Sequence, residues 1–131
     1  IKRLEAIIHP LVREMERQFL IAEHANGASM AVLEIPLLFE TGADKTVDVT
    51  IVVSTDAQTQ KARVMQRPGM TGEKLSAILA RQMPDNEKRR LANVIVDTSG
   101  PIPETESQID KLIRQFESRD GTAYHRHWQS V

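Results

Sequence analysis

The run Val47-Asp48-Val49-Thr50-Ile51-Val52-Val53 constrains the fold more than any other stretch of this chain. It is β-branched and nearly continuous in apolar character. A half-solvated strand alternates apolar and polar residues, whereas a strand covered on both faces does not. The run therefore predicts a strand over 47–53 in a sheet flanked by helices. Met30 to Ile35 reads the same way, with Glu34 near its end. Pro36 then blocks further central pairing, because it has no N–H and a fixed φ. Ala92 to Asp97 is the third predicted strand.

Helical periods fill the intervals. Ile1, Leu4 and Ile8 share one face, and His9-Pro10 is expected to interrupt that helix. Pro10 suits the first turn of a new helix, where its missing N–H costs nothing. Leu11, Met15, Phe19 and Ala22 form the new apolar stripe, which Asn26-Gly27 ends. Ser54, Thr55 and Asp56 offer caps for a helix from Ala57 to about Gln66, before Arg67-Pro68-Gly69. Thr71 can cap another helix bearing Leu75, Ile78, Leu79 and Gln82. Pro84-Asp85 breaks and recaps the chain for a short basic helix with Glu87, Lys88, Arg89 and Arg90. A last helix over Glu104 to Ser118 gathers Ile109, Leu112, Ile113 and Phe116. Residues 119–131 have no usable period and are expected to form a flexible tail, with Trp128 as a candidate anchor. Alternating strands and helices predict a parallel α/β sheet. Three strands are few for such a sheet, and Ile1 already lies on a helical pattern. Both features lead to the expectation of a segment upstream of Ile1.

The net charge is −1, which argues against broad electrostatic binding of nucleic acid. The absence of cysteine excludes a disulfide framework, a zinc–thiolate site and a thiol nucleophile. No apolar run approaches the roughly 18 residues of a membrane span. The expectation is a cytoplasmic protein with no nucleic-acid or membrane partner.

Several residues are candidates for chemistry. Arg63 and Arg67 are spaced i, i+4, which predicts one helix face. Their planar forks suit phosphate oxygens; with Lys61 they also fit a solvated basic face. Glu34 is an acid at the carboxyl end of a predicted buried strand. Such an acid is costly there unless a cation pairs with it or a ligand uses it, and ligands of open α/β sheets sit at that end. Leu37-Leu38-Phe39 reads as core or as a ligand wall. His9 is a helix-entry residue with local hydrogen bonds, or a group near a ligand. His24, His125 and His127 show no metal-site partners, so no metal ligand is expected.

Taken in order, these motifs resemble one family, dephospho-CoA kinase. They are Leu4-Glu5-Ala6-Ile7-Ile8-His9-Pro10, Glu34-Ile35-Pro36-Leu37-Leu38-Phe39-Glu40, the Gln-x-x-Arg-x-x-x-Arg run from Gln60 to Arg67, Ala80-Arg81-Gln82, Glu87-Lys88-Arg89, and Asn93 to Gly100. The resemblance runs from about Leu4 to Gly100. It implies a P-loop NTPase-like parallel sheet with flanking helices, N-terminally incomplete. The family's Gly-x-x-x-x-Gly-Lys-Ser/Thr phosphate loop does not occur in the sequence. It further implies transfer of the γ-phosphoryl of ATP to the 3′-hydroxyl of dephospho-CoA, with Mg²⁺, in the last step of coenzyme A biosynthesis. Arg63 and Arg67 would then stabilise phosphate charge, and Glu34 would stand behind the metal. Gln82, Lys88 and Gly100 would fall on the ATP side, and His9, Pro36, Leu37, Leu38 and Glu40 on the dephospho-CoA side.

The organisation implied is a helical CoA-side region over 1–29, a kinase core over 30–118 with a lid at about 68–91, and the tail. Four features depart from the family pattern: Glu34 and Asn93 where Asp is common, Arg81 where many members have Ala, and Thr98-Ser99 in place of Asn-rich residues. The rival reading is a non-catalytic α/β module without the phosphate loop, binding a CoA-like ligand or a protein partner. Without that loop, the 131 residues alone are expected to be inactive.

Overall fold

The computed structural model describes residues 2–129, so Ile1 and the last two tail residues lie outside it, as do the side chains of Lys2, Glu5, Ala57 and Arg81. The chain opens on α1 (Lys2–Ala25), a helix that runs straight through Pro10. The interruption expected at His9-Pro10 is therefore absent. Proline removes one i→i−4 bond, and the surrounding turns carry the helix past it. Asn26 and Gly27 end α1 as expected: their N–H groups bond back to the carbonyls of Ala22 and His24, with Gly27 at φ 79°.

The expected strand over Met30–Ile35 does not form. No strand among the described residues pairs with the segment, and Val32 is 77 % exposed. A strand exists through its neighbour's hydrogen bonds, so an unpaired apolar run stays irregular. Residues 36–42 wind into a turn, followed by a 3₁₀ turn over Ala43–Thr46.

Of the run 47–53, only β1 (Ile51–Ser54) is ladder. The preceding residues are engaged elsewhere. The Asp48 carboxylate accepts the N–H groups of Thr122 and Ala123 at 2.7 and 2.9 Å. Thr50 is clasped by Asn93: its N–H donates to Asn93 Oδ1 at 2.9 Å, and its carbonyl accepts the Asn93 and Val94 N–H groups at 3.1 Å.

The crossover from β1 is built of helices joined by turns. It contains α2 (Ala57–Met65), α3 (Gly72–Arg81) and α4 (Asp85–Leu91), and returns to β2 (Val94–Asp97). Asp56 caps α2 by accepting the Thr59 N–H at 2.8 Å, and Thr71 caps α3 by accepting the Lys74 N–H at 3.1 Å. The two strands pair in parallel, Ile51 with Val94 through Ser54 with Asp97. Parallel pairing requires such a crossover. α5 (Ile102–Phe116) then covers β2. Its Gln108 amide accepts the Asp97 N–H at 3.1 Å and donates to the Asp97 carbonyl at 2.8 Å. One side chain thereby satisfies both backbone groups of the last residue of β2. Among the described residues the sheet has two strands, not three. No described helix is long and apolar enough to cross a membrane.

Residues 121–129, expected to belong to a flexible tail, pack back onto the body as a π-helical turn over Tyr124–Trp128. Trp128 is the anticipated anchor and is 2 % exposed. Its indole N–H donates to the Thr46 carbonyl at 2.7 Å, and its own carbonyl accepts from Arg17 Nε at 3.1 Å. The Arg13 guanidinium lies 4.3 Å over the ring, a cation–π contact. His24 stacks on Tyr124 with ring centroids 4.4 Å apart. This segment thus ties α1 to the 43–48 turn. A side chain at Gly121 would run into the Asp48 carboxylate. Trp128→Ala should destabilise the protein by about 3–5 kcal/mol, the usual cost of removing a buried aromatic, read as a fall in the urea midpoint followed by circular dichroism.

Candidate functional site

The carboxyl end of the parallel pair is where the functional candidates gather. Thr98 follows β2, and its N–H donates to the Ser54 carbonyl at 2.9 Å. Arg63 on α2 reaches across and donates from a terminal guanidinium nitrogen to the Thr98 carbonyl at 2.8 Å. Arg63, Thr98 and Gly100 line an open cavity of about 390 Å³ with Ile102, Thr105 and Glu106 from the first turns of α5. The fold thus brings together Arg63 and Gly100, which lie far apart in sequence. Guanidinium has five donors, so a single bond to Thr98 leaves capacity for anionic oxygens.

Arg67 does not share a helix face with Arg63, because α2 ends at Met65. Arg67 sits in the following turn, with its N–H on the Val64 carbonyl at 3.0 Å and its carbonyl accepting from Met70 at 3.1 Å. Pro68 disfavours helical backbone at the residue before it, and Gly69, at φ 76°, turns the chain toward α3. The Arg67 side chain is exposed.

The 36–42 turn holds the other candidates. Leu37 adopts φ 56°, a left-handed conformation rarely found at a bulky residue. The Thr41 N–H and hydroxyl both bond to the Leu37 carbonyl, at 3.1 and 2.9 Å, and pin the strained residue. Glu40 accepts the Met83 N–H at 3.2 Å, while its other carboxylate oxygen is buried with no partner among the described residues. Gln82, which caps the end of α3, precedes Met83 in the chain. Glu40 and the Gln82 junction are therefore adjacent.

Other candidates stay apart. His9 is exposed on α1, Glu34 is exposed in the unpaired 30–35 segment, and Lys88 is half-buried on α4. No three of His, Asp or Glu converge as metal ligands among the described residues. These residues do not by themselves supply the ligand set of a divalent cation.

Sequence reasoning takes Ser54 and Asp85 only as helix-start residues and misses the bond between them. The buried Ser54 hydroxyl, at the end of β1, donates to the Asp85 carboxylate at 3.1 and 3.3 Å. A serine closing an otherwise apolar strand was the available signal, because a buried hydroxyl needs a partner. The contributions of Thr105 and Glu106 were signalled only by their position in the helix that follows Gly100.

A family model described as dephospho-CoA kinase matches residues 1–104. The chain is 56 % identical over 118 residues to a dephospho-CoA kinase of Rhizobium etli, covering 90 % of this chain and 58 % of that protein. It is 50 % identical over 123 residues to a dephospho-CoA kinase of Brucella melitensis, covering 94 % of this chain and 62 % of that one. The chain thus spans about 60 % of the length of these curated relatives. A crystal structure of TT1252 from Thermus thermophilus superposes with a TM-score of 0.66 at 31 % identity, over 88 % of this chain and 59 % of that one. The α/β arrangement of parallel strands and flanking helices agrees with the P-loop NTPase-like fold expected from the sequence.

Asp97 ends β2 beside this cavity loop. Its carboxylate accepts from the Ser99 hydroxyl and from the Ser99 N–H at 2.9 Å. These bonds, the hydroxyl first, hold its pKa below the ordinary carboxylate value, with Arg89 adding a smaller pull. A lowered folded pKa gives stability that is present above the unfolded value, about 3.9, and is lost as pH falls through the folded one. Ser99→Ala should move the Asp97 titration upward in a carboxyl-detected NMR pH series. An unchanged midpoint would show that Ser99 does not set it.

Proposed function

The chain belongs to the dephospho-CoA kinase family, and from that membership we propose that it forms the lid, acceptor-side and base-side parts of an enzyme moving the γ-phosphoryl of ATP to the 3′-hydroxyl of dephospho-CoA. This is the last step of coenzyme A biosynthesis, and we assign the enzyme to the cytoplasm. The observation that carries the reading is the contact of Arg63 with the Thr98 carbonyl at the Gly100 cavity. It sets a permanent cation beside the loop holding Gly100, which the family resemblance puts on the ATP side. The named relatives and the match over residues 1–104 favour a kinase over a non-catalytic module.

Phosphoryl transfer is mostly positioning and charge stabilisation. In this proposal Arg63 and Arg67 supply positive charge to the phosphate oxygens. Arg63 is preoriented by Thr98, while Arg67 lies in the turn before α3 and arrives with it. Gln82, Lys88 and Gly100 belong to the ATP side. Pro36, Leu37 and Leu38 shape the acceptor side, with His9 on the neighbouring helical region, and Glu40 serves that side by holding their turn in place. Glu34 is assigned to the phosphate side from its place just before Pro36. When bound, Mg²⁺ would neutralise phosphate charge. The described residues do not hold it alone, and its ligands are not assigned to this chain.

The test uses a chimera in which the part of the Rhizobium etli relative that this chain does not match is joined to it. ADP release from ATP and dephospho-CoA should be absent with the 131 residues alone, whose sequence carries no glycine-rich phosphate loop, and present in the chimera. A chimera that folds and binds ATP but shows no release dependent on dephospho-CoA overturns the reading.

Within the chimera, Arg67→Ala should lower kcat/KM roughly 10²-fold, or about 3 kcal/mol of transition-state stabilisation. Arg63→Ala should do the same, and Glu34→Gln should lower kcat. Lys61→Ala should change little, since Lys61 borders a separate small cavity with Gln60, Leu75 and Leu79. Equal, small effects across the arginines and Lys61 would return Arg63 and Arg67 to the role of a solvated face.

A further inference from the structure

The junction between α3 and α4 is held by two carboxylates from opposite directions. Gln82 makes the last bond of α3, its N–H to the Leu79 carbonyl at 3.2 Å. Pro84 has no N–H, so Met83 carries the backbone donor between those two residues. Glu40, in the strained 36–42 turn, accepts it at 3.2 Å. The junction in turn offers its own acid, Asp85, to the Ser54 hydroxyl at the end of β1.

The far end of α4 is fastened as well. The Ala92 N–H closes the helix on the Lys88 carbonyl at 2.9 Å, and the next residue, Asn93, is clasped to Thr50. Thr50 and Ser54, at 6 and 4 % exposure, are the buried polar residues of this region. α4 is therefore bonded to the β1 segment at both of its ends. α3 is anchored differently. Its buried Leu75 borders the α2 residues Gln60 and Lys61, and it is entered through the Gly69 turn.

We infer that Glu40 and Asp85 are positioning residues that end the closing segment at Gln82, so that α3 moves over the ATP side while α4 remains part of the sheet layer. The inference rests on the kinase reading above and deepens it. It narrows the lid from about 68–91 to the stretch between Arg67 and Gln82. It also places Lys88, Arg89 and Arg90 on a fixed surface that a moving α3 approaches. Arg89 lies 3.9 Å from Asp85 of the same helix, an exposed pair. Glu40 then acts on the reaction through Met83. The requirement at position 40 is an acceptor oxygen.

Amide exchange on the 131-residue chain tests the latch without turnover. α4 amides from Lys88 onward should exchange more slowly than α3 amides, and Glu40→Leu should speed Met83 exchange roughly tenfold, the scale of one net hydrogen bond. Glu40→Gln keeps an acceptor oxygen and should restore protection. If Glu40→Leu does not fold, Ser54→Ala serves instead and should loosen the first turn of α4 while leaving Met83 protected. α3 and α4 exchanging as one unit overturns the inference.

Kinetics in the chimera separate positioning from substrate contact. Glu40→Leu should lower kcat roughly tenfold with little change in KM for dephospho-CoA, and Glu40→Gln should recover it. If Glu40→Gln is as damaging as Glu40→Leu, and the loss lies in KM for dephospho-CoA, then Glu40 is a charged acceptor-side ligand and the latch is wrong. Loss of the kinase reading would leave the exchange result standing, so the two failures are distinguishable.

Discussion

Two buried hydroxyls, one at each end of a four-residue strand, hold this architecture in register. An unpaired hydroxyl in an apolar layer is costly, so each must find a partner. Thr50 finds Asn93, which fixes where β2 begins. Ser54 finds Asp85, which fixes where α4 begins, and its carbonyl receives Thr98, which fixes the loop beyond β2. The parallel pair is too short to set its own alignment firmly by apolar packing; Val96 is its one deeply buried apolar side chain. Polar pairing at the strand ends supplies the specificity. Arg63 reaches the candidate site because Thr98 is delivered to it by this clasp.

The parts of the fold that were legible in sequence are local. Asp56 and Thr71 cap helices because the bond spans three residues and needs nothing distant. The Gly27 stop, the helix beginning at Asp85 and the anchoring role of Trp128 were similarly readable. The misread parts depend on partners far along the chain. Met30–Ile35 has strand composition without a strand beside it. Val47–Val49 has strand composition too, yet Asp48 is held by backbone donors more than seventy residues away. Pro10 was overweighted, since one missing bond does not break a long helix.

The candidate site shows the same division. Arg63 and Gly100 could be nominated by resemblance to a family, and the fold places them on one cavity. The relation of Arg63 to Arg67 was misjudged, because the backbone restriction imposed by Pro68 prevails over i, i+4 spacing. The bond of Glu40 to Met83 had no sequence signature: any residue before a proline presents an N–H, and nothing local names its acceptor. Leu37 was likewise invisible, since a left-handed leucine is held by its surroundings and not chosen by its own preference.

The chain contains one tryptophan, and it is the residue that fastens α1 to the body. Its indole is buried beneath a guanidinium and hydrogen-bonded to a backbone carbonyl. Such a ring emits at shorter wavelength than one in water, and separation from Arg13 and Thr46 would change both colour and intensity. The protein therefore carries an intrinsic optical reporter of the contact between α1 and the 43–46 turn. That contact can be followed by fluorescence with no label attached.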